Sequence, residues 1–67
     1  MIELTVNGAR KQLHQSETVA DLIIELDIAG KRLAIERNGD IVPRSAYPAT
    51  RLQAGDKLEI VVAVGGG

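Results

Sequence analysis

Sixty-seven residues are enough for one small domain and too few for two, since chains of about 55 to 65 residues fold alone while burying only about 60% of their unfolded surface. Tyr47 is the only aromatic residue and Cys is absent, which removes disulfides, thiolate metal sites and cysteine nucleophiles and points to the cytoplasm. A net charge of −1, with Lys and Arg scattered from Arg10 to Lys57, excludes the one-signed stripe that nucleic acid requires, and the aliphatic run Ile60 to Val64 is far short of the roughly 20 residues that span a bilayer.

Ile2, Leu4 and Val6 alternate with Glu3 and Thr5, the period-two pattern of a strand with one buried face. Met1 leads straight into this strand, so neither signal peptide nor anchor is expected. Asn7-Gly8 follows, a dipeptide suited to a type I′ turn because both central residues need positive φ, so Ala9 to Leu13 is predicted to return as a second strand. Thr18-Val19-Ala20-Asp21 matches a capping box and starts a helix. Its apolar face is Val19, Leu22, Ile23 and Leu26, its wet side carries Asp21 and Glu25, and Gly30 is the expected stop. Leu33 to Arg37 alternates again and runs through Asn38-Gly39 into a short extended piece, Ile41-Val42, ended by Pro43.

From Arg44 to Gln53 the pattern is irregular, with Leu52 as an apolar plug beneath a loop and Ala54-Gly55-Asp56 as a turn. The last strand is predicted over Leu58 to Val64, with Leu58, Ile60, Val62 and Val64 on one face. Strand, strand, helix, strand, short strand, strand is an α+β order in which a single helix covers one face of a mixed sheet of four to five strands. A β-grasp, the ubiquitin-like fold, is the candidate. Its first and last strands pair in parallel at the centre, and the topology throws the C-terminus into solvent. The domain is expected over 1–64, with 65–67 as a flexible tail.

Gly65-Gly66-Gly67 carries the chemistry. At ordinary glycine usage three in a row at a chosen place arise by chance roughly once in several thousand sequences. Without Cβ atoms such a tail can lie extended in a narrow channel and bring its carboxylate to a buried active centre. A carboxylate is a poor electrophile, so acyl chemistry at Gly67 requires activation, for which adenylation by ATP suffices. No P-loop and no convergent carboxylate cluster is present, so no catalytic residue, metal or bound cofactor is expected here; ATP and Mg²⁺ belong to a partner. The competing readings of the tail are a frayed terminus, a cloning remnant or a linker stub, and the well-anchored strand before it weighs against them.

The whole chain resembles the ThiS family, the ubiquitin-like sulfur carriers of thiamine thiazole biosynthesis. The resemblance lies in Ile2-Glu3-Leu4-Thr5-Val6-Asn7-Gly8, Thr18-Val19-Ala20-Asp21-Leu22, Ala34-Ile35-Glu36-Arg37-Asn38-Gly39, Ile41-Val42-Pro43-Arg44 and Leu52-Gln53-Ala54-Gly55-Asp56, together with the glycine end. It implies that an E1-like adenylyltransferase of the ThiF type adenylates Gly67. Sulfur originating from cysteine, through a donor such as a cysteine desulfurase, is then installed, and the thiocarboxylate delivers it to a thiazole synthase of the ThiG type. The alternatives are the small subunit of molybdopterin synthase, which is usually longer with aromatic and proline residues before its glycines, and a ubiquitin-like modifier conjugated through Gly67.

Glu59, Val61 and Ala63 should face away from the helix, where two apolar side chains beside the reactive tail suggest a partner-docking patch; ordinary exposed aliphatic surface is the equal alternative. His14 reads as a solvated loop residue without a catalytic partner. Tyr47 reads first as a loop anchor, with partner contact by Arg44 to Tyr47 the lesser reading, and Lys31-Arg32 as a helix-end charge pair.

Overall fold

A computed structural model describes residues 1–14 and 17–63. Val64 and Gly65 to Gly67, on which the tail reading falls, lie outside the described residues, as do Gln15 and Ser16. The opening alternation folds as strands β1 (Ile2–Val6) and β2 (Ala9–Leu13), paired antiparallel from Ile2 opposite Leu13 to Val6 opposite Ala9. Asn7 and Gly8 turn the chain with φ of 52° and 82°, as a type I′ turn needs. Asn7 also reaches the far strand: its Nδ2 donates to the Ile60 carbonyl at 3.0 Å and its Oδ1 accepts the Ile60 N–H at 2.7 Å.

The helix α1 (Val19–Glu25) starts where the capping box places it, with the Asp21 N–H donating to Thr18 Oγ1 at 3.2 Å and the Thr18 N–H donating to the Asp21 carboxylate at 3.0 Å. Val19, Leu22 and Ile23 are buried and Leu26 half-buried, which is the expected apolar face. The stop at Gly30 is corrected: the helix ends at Leu26, and Asp27 takes the left-handed conformation with φ of 61°. Ile28 N–H donates to the Ile23 carbonyl and Asp27 N–H to the Ile24 carbonyl, both at 3.0 Å, the bond pair of a Schellman ending. The half-buried Ile28 packs against the core and favours closing the helix there, and aspartate tolerates the left-handed region better than most side chains.

Strand β3 (Leu33–Arg37) turns through Asn38 and Gly39, with φ of 53° and 90°, into β4 (Asp40–Ile41), a pairing of only two residues. The segment read as irregular contains a 3₁₀ helix, Arg44–Ala49, closed by the Thr50 hydroxyl donating to the Ala46 carbonyl at 2.7 Å. Tyr47 is buried within it, and Leu52 plugs the core as expected. Strand β5 (Lys57–Val62) ends before Ala63, which the predicted strand includes; Val64, its predicted last residue, lies outside the described residues.

The five strands form one sheet in the order β2-β1-β5-β3-β4, with β5 parallel to β1 and antiparallel to β3. This is the mixed sheet of the β-grasp, covered on one face by α1. Leu4, Leu13, Val19, Leu22, Ile35, Leu52 and Leu58 are the most deeply buried side chains. Burying each such aliphatic group stabilises the fold by about 1.5–3 kcal/mol, so a core almost without aromatics suffices for two thin layers.

Candidate functional site: the open face of the last strand

The register of β5 separates its side chains into two sets. Leu58 and Ile60 are buried and Val62 half-buried on the helix side, while Glu59 and Val61 are exposed on the open side, Val61 by 63%. Ala63, past the strand end, is also exposed, and its N–H donates to the Arg32 carbonyl at 2.9 Å. The strand therefore stays tied to its neighbour up to the last described residue. The structure thus brings Glu59 and Val61 onto one surface, as the sequence predicts, and places Ala63 at its end; Gly65, Gly66 and Gly67 lie outside the described residues.

Pairing with β3 adds residues that sequence reading did not reach. Ala34 lies directly opposite Val61, Glu36 directly opposite Glu59, and Ile41 of β4 directly opposite Glu36. Ala34 and Glu36 are exposed, and Ile41 is exposed by 78%. The open face of β5-β3-β4 is thus an apolar patch of Val61, Ala34 and Ile41 around two carboxylates. Like charges directly opposite each other destabilise a sheet by a few tenths of a kcal/mol or more. Only the alternation of β3 and the Asn38-Gly39 turn hinted at this, because the pairing depends on a register that no local pattern fixes.

The base of β5 is rigidly held. Asp56, buried at 6% exposure, accepts from Arg37 Nε at 2.9 Å, from the Gln53 N–H at 2.8 Å and from Asn38 Nδ2 at 3.1 Å, while Asn38 Oδ1 accepts the Lys57 N–H at 2.8 Å. Burial alone would raise the Asp56 carboxyl; the Arg37 hydrogen bond, the Gln53 amide, the Asn38 amide and the Arg37 charge outweigh it and hold the group below the usual aspartate value. A residue read only as part of a turn is the charged anchor of the central strand.

Among the other candidates, His14 is exposed past β2 and Tyr47 is the loop anchor expected. Lys31 and Arg32 are not a helix-end pair, since the helix has already closed at Leu26. No cluster of His, Cys, Asp or Glu able to hold a metal occurs among the described residues, and no helix among them is long and apolar enough to cross a membrane.

Residues 2–67 match the ThiS family, a stretch that includes the glycine end. The chain belongs to the ThiS family. It is 33% identical to the thiamine biosynthesis protein ThiS of Geobacter metallireducens, whose crystal structure superposes with a TM-score of 0.82 over 98% of this chain and 100% of that one. It is also 42% identical over 66 residues to a thiazole synthase of Paramagnetospirillum magneticum and 33% identical to one of Magnetococcus marinus. These matches cover 98% of this chain, which spans only 20% of the length of either thiazole synthase.

Proposed function

We propose that this chain is a sulfur carrier for thiazole formation in thiamine biosynthesis, itself a substrate of its partners. The observation that carries the reading is the match to the ThiS family from Ile2 to Gly67, which includes the glycines at which the chemistry takes place. In the proposed reaction an oxygen of the Gly67 carboxylate attacks the α-phosphorus of MgATP held by an E1-like adenylyltransferase. Pyrophosphate leaves and an acyl adenylate forms. A persulfide sulfur from a cysteine-derived donor then attacks the acyl carbon and AMP departs. Reduction of the acyl persulfide by a thiol releases the thiocarboxylate and leaves a disulfide on the donor side.

Thiazole synthase is the proposed acceptor. In the two proteins so named, a stretch similar to this chain makes up a fifth of the polypeptide. Joining a carrier to the enzyme it serves would raise the local concentration of the tail without any new contact. The open face of β5 is the proposed seat of the partners: Val61, Ala34 and Ile41 supply an apolar centre and Glu59 and Glu36 a polar element, the composition expected of a contact patch.

The test is intact-mass analysis of the chain after incubation with the adenylyltransferase, MgATP, a cysteine desulfurase and cysteine. Replacement of one oxygen by one sulfur at Gly67 is expected, and deletion of Gly66 and Gly67 should abolish it with the fold intact. A ladder of protein conjugates would mark a modifier instead. Rescue of a molybdopterin-deficient strain, and not of a thiazole auxotroph, would assign the carrier to the other pathway.

A further inference from the structure

Lys31, Arg32 and Arg44, all exposed, surround a concavity of about 160 Å³ whose apolar lining comes from Ile23, Leu33 and Tyr47. No carboxylate lines it, and no ion pair joins these three cations to another described residue. The concavity lies on the helix side of the sheet, away from the open face of β5. It also lies at the point where β5 leaves the sheet, because Arg32 accepts the Ala63 N–H through its carbonyl and Leu33 pairs with Val62. In a chain of net charge −1, three unpaired cations at one spot form a local field opposite in sign to the Glu36–Glu59 pair across the sheet.

We propose that this cationic collar is the docking site for acidic side chains at the mouth of the partner enzyme's channel. The inference rests on the carrier reading and extends it. Four residues separate Ala63 from the Gly67 carboxylate, and fully extended they reach at most about 14 Å. An enzyme that brings that carboxylate to its active centre must therefore lay the rim of its channel against the residues around Ala63. On the helix side those residues are Lys31, Arg32 and Arg44. Carboxylates on the rim complement them, steer encounter and fix the rotation of the carrier about its tail. The apolar lining beneath suits an acidic side chain beside an aliphatic or aromatic one.

Association of the chain with its adenylyltransferase, followed by stopped flow between low and high salt, tests the inference. The variant Lys31→Glu/Arg32→Glu/Arg44→Glu is expected to associate at least about tenfold more slowly at low salt, with a flattened salt dependence. Arg10→Glu, at the far edge of the sheet, should associate like the parent. Circular dichroism checks the fold, and if the triple variant is unfolded the same measurement is made on Lys31→Gln/Arg32→Gln/Arg44→Gln, for which a smaller loss is expected. Equal rates for parent and collar variant, or an equal loss in Arg10→Glu, would overturn the collar while leaving adenylation of the parent chain to judge the carrier reading separately. Saturable shifts of the Lys31 and Arg32 amides with submillimolar inorganic phosphate would also overturn it, by assigning the concavity to a free anion.

Discussion

On the helix side of β5, Leu58 is wholly buried and Ile60 nearly so; one position along, Glu59 and Val61 stand in solvent on the other side of the same backbone. The two faces belong to a single strand and obey different constraints. Shape and volume govern the helix side, where close packing leaves no room for change. On the open side Glu59 and Val61 are exposed, and their backbone pairing with β3 does not depend on their side chains, which can therefore vary with little effect on folding. A strand in this position can serve as the axis of the fold and, in the proposed function, as a surface for partners.

The comparison breaks first at Leu58. Leu58→Ala should cost about 2–5 kcal/mol in urea unfolding, a large part of what a domain of this size has. Asp56→Ala comes next, at about 1–3 kcal/mol, because it strands the half-buried Arg37 guanidinium and the Asn38 amide. The same carboxylate gives the pH dependence a definite sign. A depressed aspartate contributes its full stability above the unfolded value near pH 3.9 and loses it as pH falls through its own lower value. Acid titration of the parent should therefore show a loss of stability below about pH 4 that is reduced in Asp56→Asn.

The open face should answer differently. Val61→Asp is expected to leave stability within about 0.5 kcal/mol of the parent while weakening binding to the adenylyltransferase about tenfold in calorimetry. Loss of folding in that variant would mean that the faces are reversed. The smallest effect sharpens the contrast: Glu59→Lys should stabilise the sheet by about 0.2–1 kcal/mol, by turning a repulsion with Glu36 into an attraction.

Much of this architecture was legible because its signals are local. Asn7-Gly8 and Asn38-Gly39 each specify a turn, Thr18 with Asp21 specifies a helix start, and both signals act within four residues. What escaped depends on distant partners. Asp27 ends the helix because Ile28, the next residue, finds the core; the local sequence permits this stop but offers Gly30 as a competing one, and only packing decides between them. The 3₁₀ helix over Arg44–Ala49 has no 3.6-residue periodicity to betray it. Asp56 becomes an anchor through Arg37, 19 positions away, and Asn7 through Ile60, 53 positions away. The candidate site divides in the same way: the exposure of Glu59 and Val61 follows from alternation within one strand, whereas Ala34, Glu36 and Ile41 join them only through pairing.

The parallel contact between β1 and β5 also sets an order of events during translation. Chain elongation at about 5–20 residues per second presents the first hairpin to solvent before the middle strand of the sheet exists. Until Lys57–Val62 has been made, β1 and β3 share no neighbour and each leaves an edge unpaired. Closure of such a sheet waits for Lys57–Val62, and the long sequence separation of that step predicts slower folding than a helical bundle of equal length.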